Sequence, residues 1–122
     1  MSSKLGEQFA RAVAAKDMPA VTALLHPDLD FHAMTPRRTW EAATPADVVE
    51  VLHTWFGDDD AIEQLVSVES DAFADRERVG YRMLVRNEDG PHLVEQQAYL
   101  SERDGQIGWL RIMCAGYRPT AD

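Results

Sequence analysis

The chain has a single cysteine, Cys114, so it has no partner for an intramolecular disulfide and no thiolate cage for a metal. It is also poor in positive charge. Twelve Lys and Arg stand against 21 Asp and Glu, a formal net charge of -9. Phosphate backbones need clustered cations, and the nearest cluster, Arg37-Arg38, is too small, so no nucleic-acid partner is expected. No stretch approaches the roughly 20 apolar residues a membrane span requires, so no membrane partner is expected. Met1 to Gly6 is polar and no apolar core of a signal peptide follows, which makes a soluble, cytoplasmic protein the expectation. There is no glycine-rich phosphate loop, hence no cofactor is implied. Asp58-Asp59-Asp60 lacks the alternating ligands, glycine and closing glutamate of a calcium loop; it reads as a solvated acidic loop, and no metal is expected.

What is present is a folded domain: 122 residues with a hydrophobic fraction of 45%, read as one unit over 1–122. Leu5, Phe9, Ala12 and Val13 recur at helical spacing, and Asp17-Met18-Pro19 caps a second short helix that buries Val21, Leu24 and Leu25 before Pro27. A short strand and a turn around Pro36 occupy Asp30 to Trp40. Thr44-Pro45-Ala46-Asp47 then opens the clearest helix, with an inner stripe of Val48, Val51, Leu52, Trp55 and Phe56 and a stop at Gly57. Strands follow at about 61–74, 77–87, 91–103 and 106–117. Helices gathered on one face of an antiparallel sheet make an α+β architecture.

Two Asp-Gly pairs, Asp89-Gly90 and Asp104-Gly105, read as two-residue hairpin turns that set Glu88 opposite Pro91 and Arg103 opposite Gln106. Counting outward, Arg82 faces Gln97 and Leu84 faces Glu95; across the second hairpin, Gln97 faces Ile112, Glu95 faces Cys114 and Tyr99 faces Leu110. One face then carries Arg82, Leu84, Glu95, Gln97, Tyr99, Leu110, Ile112 and Cys114. The other carries Tyr81, Met83, Val85, Val94, Gln96, Ala98, Trp109, Arg111 and Met113.

The order and lengths of these elements, with the segments AVTALLHPDLDFHAMTP, TPADVVEVLHTWF and VEQQAYLSERDGQIGWLRIM, resemble the NTF2-like superfamily, whose members include SnoaL-type polyketide cyclases, ketosteroid isomerases and limonene-epoxide hydrolases. The resemblance spans nearly the whole chain. It implies a cone: a curved antiparallel sheet wrapped over three N-terminal helices around an apolar pocket, with the outer sheet face often making a dimer. The position of the ketosteroid isomerases' carbonyl-polarising tyrosine is Phe9, and the residue before Pro36, where their base aspartate stands, is Thr35. Their second oxyanion donor falls on Gln97, which implies that the polar face looks into the pocket. If the apolar face packs on the helices, the polar set is merely solvated; if it is the outer one, as the resemblance implies, a large exposed apolar patch calls for a partner. A homodimer through Tyr81, Met83, Trp109, Arg111 and Met113 is expected.

Glu95, Arg82 and Gln97 are the leading catalytic candidates: Glu95 as a base that abstracts a carbon-bound proton or activates a water, Gln97 or Tyr99 steadying an oxyanion. The alternative is a cross-strand Arg82–Glu95 ion pair. His32 is a second candidate acid or base, or else a partly buried histidine bonded to backbone. His53 reads as a boundary residue of its helix, and His26 and His92, beside prolines, as surface loop residues. Tyr99, Phe9, Met34, Trp40, Trp55, Leu84, Leu110, Ile112 and Cys114 are the expected pocket lining, with simple core as the alternative for Met34, Trp40 and Trp55 and a buried, inert thiol for Cys114. Two functions remain open. One is a cofactor-independent cyclase, isomerase or epoxide hydrolase acting on a small hydrophobic metabolite; the other is a non-catalytic ligand-binding or assembly module. Glu95 enclosed in a pocket favours the enzyme, and Glu95 paired and open to water favours the module.

Overall fold

A computed structural model describes residues 4–120. Helices α1 (Leu5–Ala14) and α2 (Met18–Leu24) are followed by strands β1 (Leu25–Thr35) and β2 (Arg38–Ala42), helix α3 (Pro45–Trp55), and strands β3 (Ala61–Phe73), β4 (Arg76–Asn87), β5 (Gly90–Arg103) and β6 (Gln106–Pro119). The caps are those the sequence announces. Asp17 accepts a hydrogen bond from the Ala20 N–H and Thr44 from the Asp47 N–H, each satisfying a donor that the first helical turn leaves free. No helix among the described residues is long and apolar enough to cross a membrane.

The six strands form one curved, open sheet in the order β2-β1-β6-β5-β4-β3. It is mixed rather than wholly antiparallel, because β1 runs parallel to β6. β1 also starts earlier than the sequence suggests: Leu25 is a buried strand residue, and Pro27 falls in the irregular stretch between Leu25 and Asp30, where a missing N–H costs no ladder bond. Helix α1 packs on β3, β4 and β5, and α3 on β1 and β2, all over one face of the sheet.

That face is the apolar one. Tyr81, Met83, Val85, Val94, Ala98 and Leu100 are buried against Phe9, Val13, Val48 and Leu52. The expected assignment, with Tyr81 and Met83 on an outer dimer face, is reversed. Burying a large apolar side chain contributes roughly 1.5–3 kcal/mol, and four or five of them outweigh any preference of Arg82, Glu95 and Gln97 for the interior. Arg82, Leu84, Glu95, Gln97 and Tyr99 point outward.

The register explains why β6 does not follow its expected partners. In the first hairpin Asn87 pairs with Gly90, which puts Arg82 opposite Glu95 instead of Gln97. Asn87 Oδ1 accepts from the Asp89 N–H, a side-chain turn that starts one residue earlier than the Asp-Gly reading, and Gly90 takes the positive φ of 100° that follows it. The offset is even, so faces on β4 and β5 are kept. The second hairpin turns on Asp104 and Gly105, both at positive φ, with Arg103 opposite Gln106 as expected. A bulge then intervenes: Glu102 pairs with Ile107, but Ser101 pairs with Trp109. The extra residue is Gly108, where a side chain would put its Cβ 2.6 Å from the Cβ of Arg103.

A one-residue slip flips every later side chain. Leu110, Ile112 and Cys114 therefore turn inward beside Leu100, Ala98 and Gln96, while Trp109, Arg111 and Met113 turn outward. A second irregularity lies between Val94 and Gln96, across from Gly116 at φ 89°, and it returns Tyr117 to the inner side opposite Val94.

Candidate functional site

The residues expected to make a catalytic pocket are divided by the sheet. On the outer face, Arg82 Nε donates to Glu95 Oε1 at 2.7 Å, with both side chains substantially open to water. Gln97 Oε1 accepts from Arg78 Nη1 at 3.0 Å, and Arg78 is also held by Asp71. His32 Nε2 lies 3.3 Å from Asp30 Oδ1, half exposed, and the same carboxylate meets Arg111 at 3.2 Å. Two of the open recesses these groups border share Gln97. One, of about 470 Å³, has His32, Met34, Tyr99, Arg111 and Met113 in its walls. The other, of about 300 Å³, is polar, with Glu69, Arg82 and Glu95 around a floor at Gly80; Gln97 lies between the two. Glu95 is thus paired and open to water, the arrangement that favours a module over an enzyme.

On the inner side, Phe9, Leu110, Ile112 and Cys114 are buried, and Trp40 meets Trp55 edge-to-face with ring centroids 5.9 Å apart. Met34 and Leu84, expected there too, lie on the outer face. His26 and His92 are buried rather than surface residues. His26 Nδ1 accepts from the Asp28 N–H and its Nε2 faces Asp104, while His92 packs on Tyr117 and uses Nδ1 on the Gly90 carbonyl. Asp60 is likewise more than a solvated acid: its carboxylate accepts from the Gly57 N–H and from Asn87, and its carbonyl, with that of Gly57, receives the Lys16 ammonium.

The interior contains one polar group that the expected lining missed. Gln96 is fully buried, and Tyr81, at 1% exposure, donates to its Oε1 at 2.6 Å. That length suits O–H···O better than N–H···O, so Tyr81 meets the amide oxygen and turns the amide nitrogen away from itself. Burial holds the Tyr81 hydroxyl far above the ordinary tyrosine range, with nearby Cys114 adding to the effect, so it stays a donor. Cys114 is the β6 residue opposite Gln96. Tyr117, also pushed upward by burial first and by Asp60 and Cys114 next, donates to the Trp55 carbonyl at 2.7 Å. Tyr81–Gln96 and Tyr117–Trp55 are thus two hydrogen-bonded pairs on the inner side of the sheet.

Among the described residues, two buried donors have no protein partner, Gln96 Nε2 and Trp55 Nε1. An unpaired buried polar group costs about 1–3 kcal/mol. A signal for Gln96 was present in the sequence: Val94, Gln96, Ala98 and Leu100 alternate as one stripe, and a lone amide in it needs a partner.

Neither a protein-family model nor a curated protein matches the chain. Solved structures do. A Bacillus subtilis protein designated an isomerase superposes with a TM-score of 0.76 at 14% identity, over 93% of this chain and 89% of that one. A Pseudomonas putida protein designated a polyketide cyclase gives 0.72 at 16% identity, over 92% and 90%. An LEH-like epoxide hydrolase of M. tuberculosis gives 0.65 at 14% identity, over 91% and 80%. Identities this low carry the architecture and not the chemistry. With its three helices laid over a curved, open mixed sheet, the chain has the NTF2-like fold.

Proposed function

We propose that this protein binds a small, mostly apolar molecule in the interior of the cone, with Gln96 as its polar anchor. The observation that carries this reading is the unpaired Gln96 amide nitrogen, fully buried and braced by Tyr81 in an apolar core. A buried amide left half-satisfied is expected to meet a water or a ligand. The cyclase, isomerase and epoxide hydrolase names of the structural neighbours fit a fold that encloses small molecules. No reaction step is assigned, because Glu95 and Arg82 sit on the far side of the sheet from Gln96.

The test is native mass spectrometry of protein purified gently from its own host. Wild type and Glu95→Gln should carry the same small molecule, and Gln96→Leu should lose it. Loss on Glu95→Gln with retention on Gln96→Leu would place the site on the outer face. Because Arg82–Glu95 is exposed, Glu95→Gln should also change stability by no more than about 1 kcal/mol.

We further propose that the outer face is covered by a second copy of the chain. Met34, Phe73, Tyr99 and Met113 are 42 to 67% exposed there. The charges among them neutralise one another, as Arg78 with Asp71, Arg82 with Glu95, Arg86 with Glu63 and Arg111 with Asp30. On a protein of net charge -9, a self-neutralised face rich in aromatic, Met and Arg side chains is where two copies can approach without repulsion. The contact would use Trp109, Arg111 and Met113; Tyr81 and Met83, buried in the core, have no part in it. Trp109→Asp and Met113→Asp should give folded monomers by light scattering, and dimers that persist in both variants would contradict this.

A further inference from the structure

Met34 on β1 and Met113 on β6 are partners in the parallel ladder and are 49% and 52% exposed, so two thioethers stand side by side on the outer face. Neighbouring strands lie about 4.8 Å apart, within reach of side chains that turn about three bonds. His32 precedes Met34 by two residues on the same face of β1, next to Arg111 of β6. All three side chains border the recess of about 470 Å³. We propose that His32, Met34 and Met113 bind a soft monovalent metal ion, copper(I).

The donors choose the ion. Thioether sulfur is soft and uncharged, which suits copper(I) and serves zinc, calcium and magnesium poorly. Among the described residues no three His, Cys, Asp or Glu side chains cluster to hold one of those harder ions. Charge points the same way. Arg111 is answered by Asp30 at 3.2 Å, and Glu41, the β2 partner of His32, leaves one net negative charge beside the site, which matches a monocation. Asp30 also sets the imidazole. His32 Nε2 faces Asp30 Oδ1 at 3.3 Å, and a carboxylate behind the ring is how metal-bound histidines are generally held, with the other nitrogen left for the ion. Asp30, His32 and Met34 alternate along β1, so Asp30 lies on one side of the imidazole and Met34 on the other, which puts Nδ1 on the side of the sulfurs. A patch made only for contact with another protein would use the two methionines and have no need of that imidazole. All three ligands belong to one chain, so the site depends on neither the interior ligand nor the second copy.

The first probe is silver(I), a stand-in of the same charge and softness that air does not oxidise, added as its nitrate in chloride-free buffer to protein labelled with ¹³C at the methionine methyls. The protein carries Cys114→Ala, so that the buried thiol cannot take the metal. Of the five methionines, Met34 and Met113 should shift, each assigned by its absence in Met34→Leu or Met113→Leu, and buried Met83 should not. Copper(I) affinity is then read without air by competition with bicinchoninate. One ion per chain is expected. Met34→Leu, Met113→Leu and His32→Gln should each weaken binding at least about tenfold, a loss that changes behind the ligands alone can cause. Leu replaces Met at nearly equal volume, and all three positions are about half exposed, so the variants should fold. No methyl shift with silver(I) in excess, shifts confined to other methionines, one ion per two chains, or unchanged affinity in the three variants would overturn the site. Binding by wild type that disappears with Cys114→Ala would overturn it as well.

Discussion

Deleting Gly108 should abolish folding. The residue is the extra one in the β5–β6 bulge, and without it the ladder set by the Asp104-Gly105 turn would continue in register. Leu110, Ile112 and Cys114 would then rotate to solvent, and Trp109, Arg111 and Met113 would rotate into the core. Losing two large aliphatic side chains costs roughly 1.5–3 kcal/mol each, and forcing the Arg111 guanidinium under the helices costs several more. The sum is comparable with the roughly 5–15 kcal/mol by which a domain is stable. Gly108→Ala is the milder probe. Its Cβ would meet the Arg103 Cβ at 2.6 Å, a contact between two atoms close to the backbone that no rotamer relieves. A loss of about 1–3 kcal/mol is expected, measured by urea unfolding. A deletion variant with wild-type near-ultraviolet circular dichroism would mean that the faces of β6 do not depend on this bulge.

The same residue marks where the sequence stops being legible. Helix starts were readable because Asp17 and Thr44 are capping side chains, and strand lengths were readable because the turns between them are short. The Asp104-Gly105 turn was also read correctly. Alternation beyond it was not, since parity counts only hold while the ladder has no insertions, and Gly108 and Gly116 each mark one. A glycine inside a strand is itself the warning for a bulge. The resemblance to ketosteroid isomerases pulled in the same wrong direction by one residue: it aimed Gln97 at the pocket, while the neighbour that faces the core is Gln96. Hydrophobicity alone, through Tyr81, Met83, Val85 and Val94, pointed to the correct buried face. His32 and Met34 could not be placed from sequence because the parallel pairing of β1 with β6, which fixes their outward direction, joins segments far apart in the chain.

Tyr81 and Gln96 should behave as one unit in a double-mutant cycle. Gln96→Leu strands the Tyr81 hydroxyl in the core, and Tyr81→Phe strands the Gln96 amide oxygen, so each single change should lower stability by about 1–3 kcal/mol. Replacing both removes the mismatch together with the Gln96 nitrogen that has no partner. The double variant Tyr81→Phe/Gln96→Leu should therefore return to within about 1 kcal/mol of wild type or exceed it. Simple addition of the two losses would show that the pair is not an isolated polar unit. Recovery of stability with loss of ligand would show why such a pair is worth keeping: it costs folding energy in the free protein and is satisfied only when the interior is occupied.

The measurement that bears most directly on the interior site is a crystal structure of the protein with the small molecule it carries from its own host. The prediction is ligand density on the helix-covered side of the sheet, with a polar atom about 3 Å from Gln96 Nε2, as a hydrogen bond requires. Density instead in the outer recess between His32, Met34 and Met113, with the core around Gln96 closed, would contradict it and return function to the opposite face of the sheet.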